Sequence, residues 1–216
     1  MAEEPSELRR IIEETDWKAL EDDDVESWSD LDTPALLQSL TSGDVRLVEA
    51  GLKHLSFGLI EYPNVFPAAA PAIQYVLALL PGSHIEDALR PALSGVRRPL
   101  RAHLLQWLRA VVDAVSDDME RKFVDLAGFS PLEDPTSTWH RVRQLRPQIF
   151  DVVSTFLEDP DPFVRREAIA AAVVLVRVPE LAVHRDVVAA STRAFLDAAT
   201  DPGHRKWAAT TLDALR

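Results

Sequence analysis

Residues 157 to 175 read L-E-D-P-D-P-F-V-R-R-E-A-I-A-A-A-V-V-L, and the fold turns on how this stretch is read. One helix runs out at Leu157, and Asp159-Pro160-Asp161-Pro162 makes a tight polar corner. A second helix then begins, with Asp161 placed to cap its free N–H groups and Pro162 suited to its first turn. The apolar run from Ala168 to Val176 is what a helix wedged between two others requires, and its small alanines allow close approach. The stretch is therefore the joint of a helical hairpin.

The joint recurs. At Leu40 the chain reads L-T-S-G-D-V-R-L-V-E-A-G-L, and at Leu196 it reads L-D-A-A-T-D-P-G-H-R-K-W-A-A-T-T-L. Leu40 to Leu157 is 117 positions, three times 39, and Leu157 to Leu196 is 39 again. A period of about 39 residues belongs to two-helix solenoids.

Working outward, five hairpins are expected. Residues 6 to 14 carry Leu8, Ile11 and Ile12 on one face of a short helix that caps the first repeat. Asp16 caps a turn that points Trp17 and Leu20 inward, ahead of the acidic loop 21 to 24. The first pair holds Leu36, Leu37 and Leu40, then a helix from Asp44 to about Ile60. The second follows the break at Tyr62-Pro63-Asn64, with Ile73, Val76, Leu77 and Leu80, and a shorter helix from His84 interrupted by Pro91 and Gly95. The third starts at Pro99 and continues past Ser116 to Gly128. Residues 128 to 138 lack helical pattern, and solenoids place such insertions on an edge, often the binding edge. The fourth pair spans Trp139 to Leu157 and Phe163 to Val176, with Pro147 bending or dividing its first helix. The fifth opens at Pro179, turns at Asp201-Pro202-Gly203 and closes with Trp207, Leu212 and Leu215. The expected architecture is all-α: an α-solenoid of about five hairpins over 33–216, preceded by an acidic capping segment, 1–32.

Composition narrows the chemistry. A chain of 216 residues with 47% apolar content can bury one continuous core. Having no cysteine, it has no disulfide, thiolate metal site or cysteine nucleophile. The N-terminus carries acids where a signal peptide needs bases, and the longest apolar run, nine residues, is about half a bilayer span. A soluble cytoplasmic protein is expected, and the arginine-over-lysine and alanine bias suggests a GC-rich bacterial genome. Net charge is -12, and residues 1 to 32 hold thirteen acids against Arg9, Arg10 and Lys18. Such a field repels nucleic acid and anionic membrane and attracts a basic partner, although acids also simply keep a protein soluble.

The joints resemble the HEAT-repeat signature, an aspartate followed within a turn by Val-Arg and then alanine: Asp44-Val45-Arg46 with Ala50, and Asp161 with Val164-Arg165 and Ala168. The joint at Asp201 has His204 in place of the valine. In that family the aspartate caps the second helix and the arginine reaches an acidic or carbonyl partner in the next repeat. Residues 15 to 80, with D-T-P-A-L-L-x-x-L-x-S-G-D and A-x-P-A-I-x-x-V-L-x-L-L, look like actinobacterial HEAT-repeat proteins. Some of these resemble immunity proteins of polymorphic toxin systems. Relatives often carry a His-Gln-Gly turn where this chain has Glu61-Tyr62-Pro63.

Catalytic constellations are hard to find. There is no Walker loop, His-Glu-x-x-His or Gly-x-Ser-x-Gly, and the six histidines show no metal-ligand spacing. Asp117-Asp118 with Glu120 fit a helix start better than a cation site. No cofactor and no enzymatic activity are expected. The resemblance implies a protein-binding solenoid, most specifically an immunity protein occluding a basic toxin domain. The alternatives are a scaffold subunit of a cellular complex, or a nucleic-acid-binding protein like the HEAT-like DNA glycosylases. The last would use Arg97, Arg98 and Arg101 near Trp107, and Arg141, Arg143 and Arg146 near Trp139; the net charge of -12 stands against it, and inter-repeat ion pairing and helix-end charge account for both clusters. Candidate partner-binding residues are Glu61 and Tyr62 at the first turn, Asp113, Asp117 and Asp118 at the third joint, and Glu133, Asp134 and Trp139 by the long loop. Tryptophans, Trp139 included, serve more often as core than as exposed anchors.

Overall fold

Capping aspartates and serines begin six of the helices in the computed structural model, which describes residues 6–20, 31–62, 64–82, 89–91 and 97–215. The described residues contain eleven α-helices and two small antiparallel ladders, so the chain is mostly helical. In order they are α1 (Ser6–Glu14), α2 (Thr33–Ser39), α3 (Val45–Lys53), β1 (Ile60–Glu61), β2 (Asn64–Val65), α4 (Ala69–Leu79), β3 (Leu89–Pro91), β4 (Arg97–Pro99), α5 (Leu100–Ala114), α6 (Asp117–Ala127), α7 (Thr138–Gln144), α8 (Arg146–Ser154), α9 (Pro162–Leu175), α10 (Arg185–Ala198) and α11 (Pro202–Ala214).

The joints form as their sequences dictate. Asp161 Oδ1 accepts from the backbone N–H groups of Phe163 and Val164 at 2.8 and 3.0 Å. Asp44 caps α3 through Arg46 N at 2.8 Å, and Asp201 caps α11 through His204 N at 2.8 Å. Each such cap satisfies donors that helix geometry leaves without a partner. The hairpins α2–α3, α8–α9 and α10–α11 pack as pairs. Leu40 and Leu157 are buried, and Leu196 packs against the core. Pro147 does divide its helix, because α7 stops at Gln144 and α8 starts at Arg146.

Three expectations need correction. The second helix of the second pair is replaced, where the structure describes it, by the ladder β3–β4, with Leu89 opposite Pro99 and Pro91 opposite Arg97. Pro91 and Pro99 favour extended backbone over helix; residues 83–88 and 92–96 lie outside the described residues, as does the acidic loop 21–24. The third pair also differs: α5 makes its most extensive contact with α9, four helices on, and α6 packs extensively on no other element. Ala168, Ala171 and Ala172 of α9 are fully buried and let α5 come close, whereas α6 buries Met119 alone. Finally, α1 lies against α4 in the middle of the chain, with α7 on α4 as well.

The first hairpin ends in a wide turn of helix at His54–Gly58, from which the chain passes into β1. His54 Nε2 lies 3.1 Å from Thr33 Oγ1. Burial pushes the His54 imidazole below its usual value. One hydrophobic cluster runs from Leu8 to Leu215, so the N-terminal helix and the rest share a core. No described helix is long and apolar enough to cross a membrane.

Candidate partner-binding surface

The ladder β1–β2 pairs Ile60 with Val65 and Glu61 with Asn64, which buries Ile60 and Val65 and turns Glu61 and Tyr62 outward. Tyr62 reaches across to the last turn of α5, where its hydroxyl donates to Asp113 Oδ2 at 3.4 Å. Partial burial, reinforced by the Asp113 carboxylate and this hydrogen bond, raises the phenol above its ordinary value. Two candidates 51 positions apart are thus in contact.

Ser116 caps α6, its Oγ accepting from Met119 N at 3.3 Å. Asp117, Asp118 and Glu120 occupy the first turn, where the helix dipole favours negative charge. Their charges are only partly free. Arg143 of α7 reaches Asp117 at 3.1 Å and Glu120 at 3.0 Å, and its Nε donates to Val115 O at 2.8 Å. Asp118 pairs with Arg121 within α6. Arg146, its guanidinium pushed down by burial, donates to the same Val115 carbonyl at 2.7 Å. The turn between α5 and α6 is therefore held by two arginines.

Between the β1–β2 turn and α6 lies an open groove of about 400 Å³, lined by Tyr62, Asn64, Met119, Lys122, Phe123 and Leu126. Its walls are mainly apolar, and Leu126 is 88% exposed and Tyr62 58%. Phe129, also exposed, meets Phe123 edge-on at 5.5 Å, and Phe123 meets Trp139 at 6.0 Å. An apolar groove with the Asp113 carboxylate beside it and Lys122 in its wall can take an apolar side chain.

Glu133 and Asp134 do not line the groove, and Trp139 lies against its Phe123 wall. Glu133 Oε1 accepts from Ser130 N at 3.3 Å, while Asp134 Oδ1 accepts from the Thr136 backbone and hydroxyl at 2.8 and 2.7 Å. These bonds shape their own loop and hold the Asp134 carboxyl below its usual value. The loop is joined to α6 through Ser130 Oγ, which donates to Glu120 Oε1 at 2.5 Å. Trp139 is 5% exposed, so its ring underpins this region and cannot serve as a surface anchor. Sequence reading missed Leu126 and Phe129. Met119, Phe123 and Leu126 share one i, i+4, i+7 stripe, a pattern that reads as core and does not tell a covered face from an exposed one.

Arg98 and Arg101 of the first arginine cluster, and Arg143 and Arg146 of the second, have inward partners, whereas Arg141 is exposed. Arg101 donates to Leu80 O at 3.1 Å and lies 4.0 Å from Asp159, and Arg98 lies 3.7 Å from Glu167. Trp107 and Trp139, the aromatic residues beside them, are both buried. No family model, curated protein or solved structure matches this chain.

Proposed function

We propose that this chain is a non-catalytic protein-binding module, a HEAT-like α-solenoid whose α6 groove receives a basic partner. In its most specific form the reading is an immunity protein that occludes a cationic toxin domain. The observation that carries the binding role is the exposure of Leu126 and Tyr62 on one apolar groove, beside which Tyr62 holds the Asp113 carboxylate. A helix that leaves a leucine almost wholly in water, on one groove with the exposed Tyr62, fits a surface meant to be covered. Asp113, with the exposed acids Asp117 and Asp118 at the start of α6, adds negative charge, which governs association rate and discrimination. Arginines turned toward internal partners and buried tryptophans favour this reading over nucleic-acid binding, which needs guanidiniums facing phosphates and aromatic rings facing bases.

The test is affinity purification of the tagged protein from its own cells at low and high salt, in parallel with Leu126→Asp. A single stoichiometric basic protein that is lost with the variant supports the reading, and a toxin-like activity in that protein supports the immunity role. Several subunits of one cellular complex would favour a scaffold. Equal capture by parent and variant would remove the groove from the account.

A further inference from the structure

Among the described residues every other α-helix packs extensively on a neighbouring element, and α6 does not. Its apolar stripe of Met119, Phe123 and Leu126 lies instead along the groove, at i, i+4 and i+7, so the groove follows the helix for two turns, about 10 Å of axis. Leu126 is 88% exposed, and Phe129, just beyond the end of the helix, is exposed as well. One side chain cannot cover such a length.

The walls select the backbone that can lie there. An extended segment draws its affinity from main-chain hydrogen bonds to a free strand edge, whereas a helix satisfies its own backbone and presents side chains alone. On the α6 side the interior N–H and C=O groups bond within the helix, and the Gly128 N–H closes its end on Val124 O at 2.8 Å. On the opposite side Asn64 pairs with Glu61 in a ladder only two residues long, too short an edge to seat a strand. Both walls therefore offer side chains, the surface that a helix meets.

Charge narrows the choice. α6 carries Asp117, Asp118, Glu120 and Asp125 against Arg121 and Lys122, and Asp113 stands beside Tyr62. Lys122, in the groove wall, lies one turn from both Asp118 and Asp125, so its charge is shared with acids of its own helix. A second copy of this chain would bring another acidic helix, in a chain of net charge -12, against these carboxylates, which disfavours self-association.

Building on the binding role proposed for this groove, we propose that its occupant is a cationic amphipathic α-helix of the partner, laid along α6. Its apolar residues, at i, i+3 or i+4 and i+7, cover Met119, Phe123 and Leu126. Its lysines or arginines flank that face, toward Asp113 and Asp118.

The experiment selects phage-displayed random peptides of about 16 residues, enough for about four helical turns, on the full chain and in parallel on Leu126→Asp. Enriched sequences should carry apolar residues at helical spacing with lysine or arginine between them. A synthetic peptide chosen from them should gain helical circular dichroism on binding, and Leu126→Asp should weaken its affinity by about tenfold or more. Should aspartate in the last turn unfold α6, Leu126→Gln provides the same comparison. Leu126-dependent peptides whose apolar residues alternate, or that bind without becoming helical, overturn the helix and leave the binding role of the groove standing. Leu126-dependent peptides rich in acids overturn the cationic character of the occupant. No peptide that distinguishes parent from variant overturns both the helix and the groove.

Discussion

The indole Nε1 of Trp107 on α5 donates a 2.6 Å hydrogen bond to the backbone carbonyl of Leu55, 52 positions earlier. Leu55 lies in the wide helical turn that closes the first hairpin, so this bond ties that turn to α5. It also sets the height of the β1–β2 ladder, and hence where Tyr62 meets Asp113. Trp107→Phe keeps most of the ring and removes the donor. The buried carbonyl loses its partner, and stability should fall by about 1 to 3 kcal/mol. Urea denaturation of a variant with unchanged helical circular dichroism measures it; a loss below the error of the fit would show that water replaces the indole.

The hairpin joints predict a graded series. Asp161 caps two N–H groups and Asp201 one, and the Asp161 joint is the less exposed. Asp161→Ala should cost about 0.5 to 2 kcal/mol, and Asp201→Ala should lie at the low end of that range. Equal losses would mean that the second bond at Asp161 contributes nothing.

Leu157 is buried at the same joint, in the core that joins neighbouring hairpins. Leu157→Ala should destabilise by about 2 to 5 kcal/mol, the range for a leucine whose cavity does not collapse. A thermal melt indistinguishable from the parent would count against that placement.

His54 gives the fold a pH dependence of known sign. Burial lowers its folded value below the ordinary 6.5, so the unfolded chain takes up the proton first. The contribution is fully present above the unfolded value and is lost as the pH falls through the folded one. Chemical denaturation across about pH 5 to 8 should show stability decreasing toward acid, with a shallower slope in His54→Gln. An unchanged slope in that variant would assign the effect to other groups.

Gly128 ends α6 in the left-handed region at φ 80°, with its N–H on Val124 O at 2.8 Å. Nothing crowds a side chain there, so Gly128→Ala isolates the backbone cost, about 1 kcal/mol. Because α6 carries Leu126, the same variant should weaken partner capture if fraying of its last turn disturbs the groove.

The sequence by itself determined the local features. Caps at Asp44, Asp161 and Asp201, the break at Pro147 and the burial of Leu40 and Leu157 follow from residues a few positions apart, because helix starts and apolar stripes are short-range effects. Only the tertiary structure decided which helices meet. The alanines of α9 admit α5 at close range, while α6 meets its neighbours only through a few side chains such as Phe123 against Trp139, a choice that depends on side-chain volumes far apart in the chain. The candidate surface divides in the same way. Tyr62 and the acids at the start of α6 were legible as polar residues beside breaks in the pattern. That Tyr62 touches Asp113, that Leu126 faces solvent and that Trp139 lies beneath were not legible, because exposure is set by what packs on a helix and not by the helix itself.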